Sequence, residues 1–254
     1  MFDLTGQVAV VTGSTRGIGK AIAHAMGKAG AKVVVSSRKA EACEATGKEL
    51  ATDGIDVLAM PCNISRTDDL ERMVQATRDK WGRIDTLVCN AAINPHYGPA
   101  FTITDEQFDK IMGANVRGTL RLCGMVVPEM AERGSGSVVV VGSTAGFMGT
   151  PVIGAYALSK AAEAQLVRNL AVEYGPKGVR VNGIAPGLIQ TDFAKALWEN
   201  PDFRSVMEKR APLRRIGQPE DIAGAAVFLA SPASAFMTGQ IVVVDGGITI
   251  SEGG

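Results

Sequence analysis

The 254-residue chain carries 26 lysine and arginine residues against 26 aspartate and glutamate residues, a formal charge of zero at neutral pH. No basic field is present to recruit nucleic acid or an anionic membrane, and the length suits one α/β domain with a large core. Two histidines, and four cysteines at positions 43, 62, 89 and 123 without Cys-x-x-Cys spacing, give no reason to expect a zinc site or a disulfide framework.

In chain order, Gln7 to Thr12 (QVAVVT) is an apolar β-branched run, the pattern of a strand buried on both faces. Gly13, Gly17 and Gly19 follow, and then Ile18, Ile22, Ala25 and Met26 recur at helical spacing up to Gly30. Strand, glycine turn and helix in that order let backbone approach a pyrophosphate, which the free N–H groups and positive end of the helix attract. The spacing is G-x-x-x-G-x-G rather than G-x-G-x-x-G, so the commoner dinucleotide fingerprint is not strictly matched.

Lys32 to Ser36 predicts the second strand, and Ser36, Ser37, Arg38 and Lys39 close it. An acidic residue here would bond the ribose 2′-hydroxyl of NAD, whereas arginine accommodates the 2′-phosphate of NADP. Arg38 therefore points to NADP(H), with Arg16 in the glycine turn as a second cation. Ile55 to Met60 predicts a third strand ended by Pro61. Arg66 to Trp81 predicts a helix with Leu70, Met73, Val74 and Thr77 on its apolar face. Ile84 to Cys89 is the expected fourth strand, followed by Asn90, Ala91 and Ala92 and a proline-containing loop from Asn94 to Pro99.

A continuous helix is expected from Thr104 to about Arg133, with Asn115, a poor helix former, inside it. Val138 to Val141 is the fifth strand, a helix carrying Tyr156 runs to about Tyr174, and Val179 to Ala185 is the sixth strand, broken by Pro186 and Gly187. The segment 188–213 has no clear strand and reads as a small helical flap able to close over a site. Gln218 to Ala230 predicts a helix and Ile241 to Val244 a last strand. With no repeat or linker, residues 1–254 read as a single domain built on a doubly wound, seven-stranded parallel sheet with helices on both faces. No apolar stretch approaches the ~18 residues of a membrane span, and the strand-like run beginning at Gln7 leaves no room for a signal peptide. The expected compartment is the cytoplasm.

The chemistry concentrates in Ser143, Tyr156 and Lys160. Tyr156 and Lys160, four apart, share one helix face. A phenol with an unperturbed pKa near ~10 exchanges protons poorly at neutral pH, and a nearby ammonium favours its phenolate. A fixed serine hydroxyl can bond a carbonyl oxygen that is becoming an alkoxide. Acid/base chemistry at an oxygen is the expectation, with Lys160 lowering the pKa of Tyr156.

TGSTRGIG at 12–19, CNAA at 89–92, Asn115, Ser143, YALSK at 156–160 and APGLIQT at 185–191 together resemble the short-chain dehydrogenase/reductase family over nearly the whole chain. The resemblance implies a Rossmann fold, a nicotinamide cofactor and a catalytic set of Asn115, Ser143, Tyr156 and Lys160. Asn115 would hold a water connecting Lys160 to solvent. Gly13, Ser14, Thr15, Arg16, Gly17, Ile18 and Gly19 would cradle the phosphates, and Ser37 with Arg38 the 2′-phosphate. Asn63 and Ile64 would flank the adenine, and Asn90 and Ala91 the ribose and nicotinamide. Pro186, Gly187, Ile189 and Thr191 would meet the carboxamide end, and Tyr156 and Lys160 the reacting end. The family usually has Asn-Asn-Ala-Gly where this chain has Cys89-Asn90-Ala91-Ala92. SSRK, NAAINP and the apolar flap look nearest to NADPH-dependent carbonyl reductases that reduce ketones and retinal.

The expected substrate walls carry His96, Tyr97, Phe147, Val152, Phe193 and Trp198, a lining suited to an apolar or aromatic ketone or aldehyde. His96 is expected in a solvated loop. A 3-oxoacyl-[acyl-carrier-protein] reductase, docking its carrier on Arg117, Arg121, Arg204, Lys209 and Arg210, is the alternative enzyme, and a non-catalytic NADPH-binding sensor is the alternative of another class. A homotetramer or homodimer is expected from the resemblance, packed through the helices that contain Asn115 and Tyr156.

Overall fold

Strands that are apolar on successive residues must be covered on both faces, and parallel pairing with crossover helices achieves this. In the computed structural model, which describes residues 1–251, the elements alternate accordingly. They are β1 (Val8–Val11), α1 (Gly17–Lys28), β2 (Lys32–Ser37), α2 (Ala40–Thr52), β3 (Val57–Pro61), α3 (Thr67–Trp81) and β4 (Thr86–Cys89) in the first half. The second half holds α4 (Asp105–Ile111), α5 (Thr119–Arg133), β5 (Gly136–Val141), α6 (Gly154–Tyr174), β6 (Val179–Pro186), α7 (Lys195–Trp198), α8 (Pro201–Arg210), α9 (Pro219–Ala230) and β7 (Ile241–Val244).

All seven strands form one parallel sheet in the order β3-β2-β1-β4-β5-β6-β7. This is the doubly wound Rossmann arrangement expected. Side chains alternate between two cores: Val10, Val34, Leu87, Val138 and Val140 point to the face covered by α3, α5 and α6. Ala9, Val11, Val33, Val35, Val88 and Val139 point to the face of α1 and α9. The chain reverses direction of winding between β1 and β4, so a crevice opens at their carboxyl ends.

Two sequence expectations need correction. The helix expected over 104–133 is not continuous. A π-helical stretch, Met112–Gly118, separates α4 from α5, and Asn115 lies in it. The third strand begins at Val57 rather than Ile55, because Ile55 is buried against α1 and packs where Gly27 leaves room. Pro61 belongs to that strand, which its lack of an N–H allows because β3 is an edge. The segment 188–213, expected as a small helical flap, contains α7 and α8.

Asp85 ties the strands together at the end of the sheet away from the crevice. Its buried carboxylate accepts the Val8 N–H at 2.9 Å and pairs with Arg83 and with Arg133 at 3.5 Å. Asp85→Ala strands that N–H, and a denaturant titration is expected to show a loss of about 1–3 kcal/mol. Nucleotide affinity, measured in parallel, is expected to stay at the wild-type value.

Candidate active site

At the crevice, side chains from β1 and β4 lock two loops to each other. The Thr12 hydroxyl accepts the N–H groups of Asn90 and Ala91 at 3.0 and 3.1 Å. The Asn90 amide in return donates to the carbonyls of Thr12 and Gly13 at 2.9 and 3.1 Å. A Cβ at Gly19 would collide with the Asn90 side chain and the Gly13 carbonyl, and one at Gly13 would press on Ala91 at 3.0 Å. Gly13 and Gly17 also have positive φ angles of 65° and 51°. These residues thus form a close-packed glycine turn at the start of α1, whose first turn has no side-chain cap. A dinucleotide pyrophosphate fits this donor set.

The other expected cofactor residues divide by what they touch. Ser14 is fully buried: its hydroxyl donates to Val11 and accepts from the Ser36 N–H, while its own N–H donates to Ser36. It braces the turn to β2 and has no donor left for a phosphate, a correction to its expected part. Thr15 gives its carbonyl to Thr46 at 3.4 Å. Arg38 is exposed beyond β2 with no partner among the described residues, and Ser37 contacts the buried Cys43 thiol. Arg16 reaches Asp192 of the flap at 3.3 Å instead of standing free. Asn63 caps its own turn by accepting from Ser65, and Ile64 is buried against Gly118. Gly17 faces Thr191, since a Cβ on it would lie 3.1 Å from the threonine methyl, and Ile18 packs against the core under α1 and α9. Ile189 is buried beside them, Pro186 ends β6, and Gly187 runs against Asp245.

The expected acid/base residues follow β5 and lie on α6. Ser143 follows β5, its hydroxyl accepting the Ala145 N–H at 3.1 Å. Tyr156 and Lys160 occupy one face of α6, with the Lys160 nitrogen 5.5 Å from the phenol ring centroid. Asn115 is wholly buried. Its carbonyl accepts the Ile93 N–H at 2.9 Å, and its amide donates to the Ile93 carbonyl at 3.1 Å and to Ser159 at 3.0 Å. Ser159 in turn donates to the Tyr156 carbonyl at 2.7 Å. Asn115 thereby clamps the loop after β4 to the tyrosine's own turn of helix. A π turn at such a position is common at functional sites, because it frees backbone carbonyls.

A residue that sequence reasoning missed completes the site. Lys160 donates to the Val141 carbonyl at 3.0 Å and to Glu163 Oε2 at 2.7 Å, and both ionic side chains are 2% exposed. The spacing 156, 160 and 163 marks one helical stripe and was the available signal. Burial pushes the Tyr156 phenol above its ordinary value; Lys160 and Ser143 act against the rise and Glu163 adds to it. The expected lowering by Lys160 is present but outweighed. Burial also opposes the Lys160 charge, yet Glu163 and Tyr156 more than compensate and hold the ammonium above its usual range.

Around the phenol, Phe193 of the flap lies with its ring centroid 5.8 Å from that of Tyr156. Tyr97, Phe147 and Val152 are exposed at the rim, while Trp198 turns inward to donate to the Thr191 carbonyl at 2.7 Å. His96 is not solvated. It is buried and bonded to Thr102 at 2.9 Å, because the bridge between Gly98 and Ile153 folds its loop inward.

The family described as enoyl-(acyl carrier protein) reductase matches residues 13–249. Dehydrogenase/reductase SDR family member 4 of Sus scrofa is 43% identical over 244 residues, 96% of this chain and 88% of the relative. The chain belongs to the short-chain dehydrogenase/reductase family. Two solved structures agree with a short-chain dehydrogenase/reductase throughout. One is a 7α-hydroxysteroid dehydrogenase complexed with NADH and 7-oxo glycochenodeoxycholic acid (TM-score 0.94, 38% identity, 100% and 98% of the two chains). The other is a gluconate 5-dehydrogenase from Burkholderia cenocepacia J2315 in complex with NADP and tartrate (TM-score 0.94, 31% identity, 99% and 98%). The chain is accordingly an oxidoreductase acting on alcohol or carbonyl groups with a nicotinamide cofactor.

The glycine turn provides a direct check on where that cofactor sits in this dehydrogenase/reductase. Gly19→Ala is expected to weaken nucleotide binding at least about tenfold, the cost of displacing Asn90 or the Gly13 carbonyl. Fluorescence titration of reduced nicotinamide reads this directly. Unchanged affinity would place the pyrophosphate elsewhere.

Proposed function

We propose that this chain is an NADPH-dependent reductase of ketones or aldehydes, reversibly oxidising secondary alcohols, with a preference for apolar or aromatic substrates. The observation that carries the reading is the convergence of Ser143, Tyr156 and Lys160 in a fold whose sheet carries a glycine turn at its switch point. Reduced nicotinamide, when bound, supplies a hydride to the carbonyl carbon. The chain's residues then manage the oxygen. Ser143 holds it through its hydroxyl, and Tyr156 gives its proton to the developing alkoxide. A phenol kept above its ordinary value is protonated at neutral pH, as a proton donor must be. Asn115 keeps Tyr156 in register; a water relay at this residue would have to use its main chain, since both amide hydrogens and the carbonyl are engaged. Phe193 above the ring, with Phe147, Val152 and Tyr97 at the rim, supplies apolar walls and few polar anchors.

NADPH preference rests on Arg38 and on the lack of a carboxylate at the end of β2. Arg16 reinforces it, because its pairing with Asp192 joins two exposed groups, an interaction worth roughly 0–1 kcal/mol that a phosphate can replace. The solved relatives carry NADP in one case and NADH in the other, so the choice falls to such local residues. The carrier-protein alternative gains no support from the surface: Arg204 pairs with Glu208, and Arg117 and Arg121 share their hollow with Glu106 and Asp109. The reading extends to a homotetramer or homodimer packed over α5 and α6, which expose Leu120, Leu158 and Val172.

Two measurements test this. Tyr156→Phe is expected to lower kcat by about 10²–10⁴-fold with nucleotide binding intact; retention of more than a few per cent of wild-type turnover in a folded variant would remove Tyr156 from the chemistry. Arg38→Asp is expected to weaken NADPH binding about tenfold or more, the worth of one charge-assisted bond, and to improve the use of NADH. Equal use of both cofactors by the wild type would take the discrimination away from Arg38.

A further inference from the structure

Among the described residues, Glu163 is the one buried acid in contact with the candidate catalytic set, and nothing in the hydride and proton steps described above requires it. The Lys160 ammonium has three hydrogens, and two are committed, one to the Val141 carbonyl and one to Glu163 Oε2. Both members of the ion pair are 2% exposed and border a cavity of about 10 Å³, room for at most about one water. Bulk solvent therefore screens the pair less than it would a surface pair, and the carboxylate acts on the phenol as well as on the ammonium.

We propose that Glu163 is a positioning residue for Lys160, drawing the ammonium onto itself and the Val141 carbonyl and so fitting the site to carbonyl reduction rather than alcohol oxidation. The inference rests on the reading of Tyr156 as proton donor. Reduction needs a protonated phenol, which gives up its proton as the carbonyl oxygen becomes a hydroxyl. Oxidation needs the phenolate, which takes the alcohol proton as hydride leaves carbon. An anion beside the lysine cancels the charge that would otherwise stabilise the phenolate, so it favours the first state and penalises the second. The Tyr156 phenol is held above its ordinary value, with Glu163 adding to the effect of burial.

The groups that face Glu163 admit no competing source. Lys160 and Tyr156 lie on its own helix, and Cys89 at the end of β4 is the titratable neighbour from the sheet. The free Cys89 thiol neighbours that of Cys123 of α5, and this neighbour together with burial raises it well above its ordinary range, so it stays neutral. Around the cavity, β5, β6 and β7 present apolar residues and Ser143.

The test compares wild type, Glu163→Gln and Glu163→Asp. The first readout is the pH dependence of kcat/KM for oxidation of a secondary alcohol with NADP. The second is phenolate absorbance of the ligand-free protein, with Tyr156→Phe as the blank; only three tyrosines contribute. Glu163→Gln is expected to move the acid limb and the phenol midpoint down by about one pH unit or more, the size of a neighbouring-charge effect, and Glu163→Asp to return both toward wild type. A limb and midpoint that stay in place, or rise, in folded Glu163→Gln overturn the proposal. If Glu163→Gln does not fold, Glu163→Leu takes its place and is read the same way: a limb and midpoint that fall support the proposal, and ones that stay in place or rise overturn it. A wild type that turns over no carbonyl or alcohol removes the proposed function instead and leaves the phenol titration to judge Glu163.

Discussion

The buried charge of Lys160 is the constraint around which this molecule is arranged. An ammonium withdrawn from water is tolerated only if it is paired and hydrogen-bonded. Here the Val141 carbonyl and the Glu163 carboxylate provide the partners, one from the last residue of β5 and one from the next turn of α6. The pairing therefore fastens α6 to the carboxyl end of β5. It also fixes where Ser143, two residues beyond Val141, can stand relative to Tyr156. Removing either ionic partner would leave an uncompensated charge among Val140, Val167 and Ile184, which line the same cavity.

A second layer of neutral hydrogen bonds transfers that order to the nucleotide side. Thr12 and Asn90 exchange bonds across β1 and β4, and Asn115 connects the following loop, at Ile93, to Ser159 and hence to the Tyr156 carbonyl. The chain of contacts runs from the glycine turn to α6 without a gap. Each member is buried or half-buried, where an unmade bond is costly, so the geometry is preorganised rather than assembled on binding.

The sheet was legible because its physics is local to each strand: a strand covered on both faces is apolar at successive positions, and QVAVVT and KVVVS say so without help from the rest of the chain. The crevice followed from the alternation of strands and helices. The π stretch was not legible, since Met112–Gly118 keeps a helical composition and departs from α geometry only where Asn115 finds partners in Ile93 and Ser159. His96 failed for a similar reason, because its burial depends on Thr102 and on the bridge from Gly98 to Ile153. Glu163 lay in plain view at helical spacing from Lys160. It was passed over because an acid near a lysine on a helix reads as a solvated surface pair until the burial of that face is known.

Chemistry and substrate choice rest on parts of very different stability. Tyr156, Lys160 and Glu163 sit on a 21-residue helix packed into the core, whereas α7 and α8 of the flap contain no buried residue. The flap is held at its ends instead: Leu188 and Gln190 bond Gly217, Ala211 is buried, and Leu213 donates to Gly246. Between these anchors it touches the site through Phe193 over Tyr156 and Asp192 against Arg16. A segment with few buried contacts opens at low free-energy cost. Substitutions there reshape the apolar wall while leaving the buried ion pair and its hydrogen-bonded surroundings intact, which is the physical reason one fold can keep a single proton-transfer apparatus and vary what it acts upon.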